Sequence, residues 1–220
     1  MHYDLEIFQL SKVFKLMPSF QTDGNDIVTG HKLPVINHWI STDVGIKHIA
    51  SLRGHMEIIS YTAISNNCKL IISGHIDGKL SVFTTNPHKF LRIISTDTNV
   101  PIEFIYVFQP TSAIIVFQRE NESSTKLTLF SCNGKLLATN TLRCSVLNCT
   151  STTFAEGTQK NYFFVLSDEK VFVLSSTSLK VKEEYNLTGP KPISITIWNK
   201  YNIFIARSDR TLVRWMLEYE

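Results

Sequence analysis

Apolar and polar residues alternate in short runs along the whole chain, and Gly, Asn, Asp or Pro break the runs at close intervals. A period of two is that of strands with one face buried. The clearest stretch predicts strands at 57–64, 69–73, 79–83 and 90–94, divided by Ser65-Asn66-Asn67, Asp77-Gly78 and Asn86-Pro87. Asn, Asp and Gly tolerate the positive φ of tight hairpins, and Pro cannot continue a strand ladder. The pattern then recurs. Ile71-Ile72-Ser73-Gly74-His75-Ile76-Asp77 is echoed upstream by Ile27-Val28-Thr29-Gly30-His31 and downstream by Ile203-Phe204-Ile205-Ala206-Arg207-Ser208-Asp209. Registered on the large apolar residue six places past the turn Asp, the markers Trp39, Phe83, Phe130, Leu174 and Trp215 follow at spacings of 44, 47, 44 and 41.

A period of roughly 40–45 residues with four short strands in each unit is the signature of a β-propeller blade. The chain therefore reads as all-β, with one domain over 1–220 and five blades at 11–53, 54–95, 96–142, 143–188 and 189–220. Further strands are predicted at 13–20, 27–30, 35–39 and 45–52, at 102–109, 113–118, 126–131 and 136–141, at 146–154, 162–166, 170–174 and 181–187, and at 193–198, 203–206 and 211–216. The connection 119–125 reads as an insertion in the third unit and accounts for its longer spacing. The last unit lacks a fourth strand. Residues 1–10, with Leu5-Glu6-Ile7-Phe8-Gln9-Leu10, form the candidate closing strand of a ring, while a fragment of a larger ring fits the same pattern.

Composition narrows the partners. Hydrophobic content of 43% against 19% charged is globular, and a net charge of +3 with no basic run gives no footprint for nucleic acid. The N-terminal residues lack the apolar core of a signal peptide, and no stretch is long and apolar enough for a membrane helix. The expected setting is cytoplasmic, including endomembrane surfaces reached through a larger assembly. Cys68, Cys132, Cys144 and Cys149 form no C-x-x-C pair and are expected to be reduced and mostly buried. Three Asn-x-Ser/Thr matches, at Asn121, Asn148 and Asn186, read as chance in that setting. Phe104, Tyr106, Phe108, Phe163 and Phe164 alternate with aliphatics as core positions, as do Phe8, Phe14 and Phe20.

Gly54-His55, Ser73, Asp77 and the position of Phe83 together resemble a WD repeat. In that family a turn Asp, a His, a Ser or Thr and a Trp form a hydrogen-bonded chain across each blade. The resemblance implies a structural chain through His55, Ser73 and Asp77, with Asp77 fixing the imidazole tautomer of His55. Phe83 departs from the pattern because it has no N–H to donate. Beyond this, Gly54-His55, Phe90-Leu91-Arg92, Pro101-Ile102-Glu103 and the run from Leu127 to Ala138 are similar to the WD-repeat region of BEACH-family proteins. That resemblance implies a scaffold in vesicle traffic and membrane dynamics.

No catalytic motif stands out. The chain has no G-x-S-x-G, no P-loop and no G-x-G-x-x-G, and the two equivalent turn histidines His31 and His75 lack carboxylate or thiol partners at metal spacing. Neither catalytic residues, a metal nor a cofactor is expected. The reading is a non-catalytic platform for protein or peptide partners, with Lys32, His75, Ile76, Ser167, Arg207 and Ser208 as candidate partner-binding loop residues. A coat subunit unrelated to BEACH proteins and a propeller hydrolase are the competing readings.

Overall fold

The computed structural model describes residues 19–30, 34–55, 57–108, 111–153, 161–198 and 202–216. Among them the only regular elements are nineteen β-strands, in five antiparallel sheets that make the chain a five-blade β-propeller. No helix of the described residues is long and apolar enough to cross a membrane. The chain divides into two compact units, 1–109 and 110–220. The candidate closing strand at 1–10, most of the strand at 13–20 and Lys32 lie outside the described residues.

In the first unit, β1 (Ser19–Asp23), β2 (Asp26–Gly30), β3 (Ile36–Thr42) and β4 (Gly45–Leu52) form one sheet in chain order. A second comprises β5 (Ile59–Ser65), β6 (Leu70–His75), β7 (Lys79–Thr84) and β8 (Phe90–Ser95), and β9 (Ile102–Phe108) follows. The strand β5 lies against β1 and β2, and β9 against β5 and β6. Between the first two sheets Val28, Ile36, Leu52, Ile59, Ile64, Ile71 and Phe83 form a buried cluster. Burying each such side chain stabilises by roughly 1.5–3 kcal/mol. Gly74 on β6 is required by closeness, because a Cβ there would stand 2.6 Å from Ile102 Cγ2 of β9.

The second unit begins with β10 (Ala113–Asn121), β11 (Ser124–Phe130) and β12 (Leu136–Leu142), which complete the sheet whose strand order is β12-β11-β10-β9. It continues with β13 (Val146–Thr153), β14 (Asn161–Ser167), β15 (Lys170–Ser175) and β16 (Val181–Asn186), and ends with the three-stranded sheet β17 (Pro192–Trp198), β18 (Asn202–Arg207) and β19 (Leu212–Met216). Phe164, Leu166, Val171, Val173, Ile195, Ile203 and Ile205 form a buried cluster in it, with Trp215 packed on that cluster.

All five markers fall on the third strand of their sheets. Trp39 pairs with Ile27, Phe83 with Ile71, Phe130 with Ile114, Leu174 with Phe163 and Trp215 with Ile203, each on the second strand. The register to the fourth strand shifts at the marker in the first four sheets, between His38 and Trp39, Val82 and Phe83, Leu129 and Phe130, and Val173 and Leu174. A bulge increases local twist, so the repeat recurs in backbone shape as well as in sequence.

One expectation is corrected. The connection 119–125 is not a loop insertion: β10 and β11 extend through it, pairing Arg119 with Thr125 and Asn121 with Ser124 across a shifted register. Glu122 and Ser123 make the turn, and Asn121 Oδ1 accepts from Ser123 N at 3.0 Å. The extra length is strand because the polar residues 119–121 are exposed at the end of a hairpin, where a ladder needs no apolar face.

Candidate functional site

Alternation on β6 places Ser73 and His75 on one face, because side chains two residues apart share a side of a strand. His55, which follows β4 and precedes β5, meets them from across the sheet. The three polar atoms close a triangle: Ser73 Oγ lies 3.1 Å from His55 Nδ1 and 3.1 Å from His75 Nε2, and the two nitrogens are 3.2 Å apart. Phe83 supplies no hydrogen bond; its ring packs beside His55 with centroids 5.1 Å apart.

His55 is 7% exposed, Ser73 0% and His75 3%. Burial holds His55 down at about 4, and the neighbouring His75 adds to the effect. Burial also lowers His75, against the opposing pull of Asp77. Both rings are therefore neutral near pH 7. One proton arrangement fits the distances: with the His75 proton on Nδ1, facing Asp77, Nε2 accepts from Ser73 Oγ–H and from His55 Nδ1–H. His55 Nε2 is a buried atom with no hydrogen-bond partner among the described residues.

Asp77 takes a different place from the one the WD resemblance implies. Its Oδ1 is 3.9 Å from His75 Nδ1, so His75 stands between it and His55. It accepts from Lys79 N at 3.2 Å and from Lys79 Nζ at 2.6 Å. Burial pulls the Asp77 carboxyl upward, but these bonds from Lys79 outweigh it and leave the group below its usual range. Asp209 repeats the turn role in the last sheet, accepting from Thr211 N at 3.0 Å and Thr211 Oγ1 at 2.7 Å. The recurring Asp is a cap for its own hairpin, as short acidic side chains are where they accept the backbone N–H two residues on.

The candidate loop residues separate into two groups. His75 and Ser167 are corrections: each is the last residue of a second strand, and at 3% and 2% exposed neither presents a surface. Ser167 is used locally, donating from Oγ to Lys170 O and accepting from Lys170 N, both at 3.0 Å. Ile76 is 38% exposed at the β6–β7 turn, and Ser208 is exposed at the β18–β19 turn. Arg207 is half-buried and lies across Gly189, where a Cβ would come within 2.9 Å of its guanidinium. The thiols also differ from expectation: Cys149 alone of the four is buried, and Cys68, Cys132 and Cys144 are half-buried.

A second polar cluster escapes sequence reading. Asp26 at the start of β2 bonds through Oδ1 to His38 Nε2 of β3 at 2.7 Å, and His38 Nδ1 meets His88 Nε2 of the β7–β8 connection at 2.8 Å. Asn66 of the β5–β6 turn donates from Nδ2 to Asp26 Oδ2 at 2.9 Å and from its backbone N to Asp23 Oδ2 at 2.6 Å. These partners come from positions up to 50 residues apart, with no local motif to announce them. In the first sheet Trp39 Nε1 donates to Thr29 Oγ1 at 3.1 Å, so the link between the third-strand indole and a second-strand hydroxyl is made there.

No protein-family model and no curated protein matches the chain. Among solved structures it is similar to the computationally designed Ika8 protein, with a TM-score of 0.63 and 16% identity over 90% of this chain and 57% of that one. It is also similar to the computationally designed Ika4 protein, with a TM-score of 0.57 and 15% identity over 76% of this chain and 96% of that one. The chain thus spans a little over half the length of the Ika8 protein. Likeness at this identity speaks for the fold, and function has to be argued from sites.

Proposed function

We propose that this chain is a non-catalytic scaffold that binds protein or peptide partners through hairpin turns, and that it serves vesicle traffic and membrane dynamics. One observation supports the first part most directly. His55, Ser73 and His75, residue types that a hydrolase would use, are buried and bonded to one another, while Ile76 and Ser208 stand exposed on turns between paired strands. Loops held by a rigid scaffold are where such folds carry recognition. The trafficking assignment is supported by the BEACH-type residues between Gly54 and Ala138. The partner class is cytoplasmic, at endomembrane surfaces, with membrane association through the assembly.

Proximity labelling with the tagged full chain in cells, followed by co-purification of the labelled proteins, tests both parts. The expected result is a stoichiometric partner among endomembrane trafficking proteins whose capture weakens at least about tenfold in an Ile76→Ala, Arg207→Ala and Ser208→Ala variant, the loss of ~1.4 kcal/mol at a contact residue. Capture unchanged by these substitutions removes the turn assignment. A partner set without trafficking proteins removes the BEACH-type reading.

A further inference from the structure

The Asp26–His38–His88 chain has a geometry that decides its chemistry. The His38 and His88 ring centroids are 5.1 Å apart while their facing nitrogens are 2.8 Å apart, so the rings meet nearly head-on. A chelated ion needs both lone pairs to converge on a third point, whereas these nitrogens point at each other across a single proton. In the neutral chain His38 Nε2–H donates to the Asp26 carboxylate, His38 Nδ1 is left as an acceptor, and His88 Nε2–H donates to it. His88 Nδ1 is the free end, on a half-buried residue.

We infer that this chain is a proton-counting clasp: it takes one proton without losing a hydrogen bond, and a second proton releases the β7–β8 connection from the first sheet. The first proton enters at His88 Nδ1. The charge then rests on either ring, since transfer along the His88 Nε2–His38 Nδ1 bond makes His38 the imidazolium, held between Asp26 and a neutral His88. Both bonds persist in either form, and a bond with one charged partner is stronger than its neutral counterpart. With a second proton both facing nitrogens carry N–H, and the bond between them must break.

The surroundings fit this order. Burial lowers His88 below the ordinary histidine value of 6.5, the adjacent His38 lowers it further, and Asp26 opposes both. Asp26 is oriented by Asn66, which also fixes Asp23 at the end of β1, and Lys89 follows His88 in the same connection. The connection itself is tied down by Thr84 N donating to Lys89 O at 2.9 Å and Thr85 N donating to Lys69 O at 3.1 Å.

Imidazole nitrogen NMR on the full chain, titrated downward from neutral pH together with amide hydrogen exchange at Thr84, Thr85 and Lys89, tests the clasp. The expected record is one proton taken up at His88 below 6.5 with the three amides still protected, then a second step at which their exchange rises. Asp26→Asn, whose side-chain oxygen can still accept from His38, should move the first step down by roughly one to two pH units. Three results overturn the inference: two independent one-proton titrations, free exchange of the amides at the first step, or no proton uptake before the fold is lost. The wild-type titration decides the matter even if the Asp26 variant does not fold.

Discussion

A buried imidazole pair without a carboxylate in bonding contact resists protonation, and His55 and His75 are such a pair. The nearest carboxylate, Asp77, is 3.9 Å from His75 and is already bonded to Lys79. His55 sits at about 4 in the folded chain against 6.5 when unfolded, so folding favours its neutral form. Its contribution is whole above 6.5, declines as pH falls through that window toward about 4, and is spent below it. Discounted for partial solvent screening, the decline is on the order of 2 kcal/mol. Urea midpoints at several pH values between 7 and 4 should show it, and His55→Leu should flatten the profile; an unchanged slope in that variant would assign the acid sensitivity elsewhere. The burial of His75 was readable in principle, since Ser73 and His75 share a strand face. Gly-His before an Asp-Gly turn reads as loop only while strand period is ignored.

At the level of strands and turns, hairpin chemistry made much of the fold legible. Asp77-Gly78 and Asp209 mark turns that occur, and the period of the markers places the third strand of every sheet. Gly78 shows why such residues are specific: it has φ +80, and a Cβ there would run into Thr98 O and crowd Thr96 Oγ1. Gly45 has φ +125 with nothing within 4 Å of the added atom. Gly45→Ala should therefore cost backbone strain alone, about 1 kcal/mol, while Gly78→Ala should cost about 2–3 kcal/mol through strain plus the clash. Chemical denaturation of the two variants compares them directly, and equal losses would mean that the 96–98 segment yields freely. Residues 119–125 were not legible as strand, because a run of charged and polar residues has the composition of a loop, and 119–121 are exposed. The Asp26–His38–His88 chain was not legible either, for the separate reason that tertiary approach of distant residues leaves no local pattern.

For the whole chain, two buried clusters of described residues can be compared. The cluster around Ile71 and Phe83 joins the first two sheets, and the cluster around Ile203 and Ile205 joins the last two. They have no residue in common, and each lies in one compact unit. In a repeat architecture stability is close to a sum of blade terms and nearest-neighbour interfaces, so each cluster governs its own interface. Ile71→Ala and Ile203→Ala, both at nearly fully buried positions, should each cost about 2–5 kcal/mol, from the lost burial and the cavity left behind. Substitutions without shared partners add to within about 0.5 kcal/mol, so the double variant should show the sum of the two losses. Urea unfolding followed by tryptophan emission suits the test, because Trp39 reports from the first unit and Trp198 and Trp215 from the second. A double variant that loses clearly less than the sum would mean that the two clusters are coupled beyond their own interfaces, and the nearest-neighbour account would then fail.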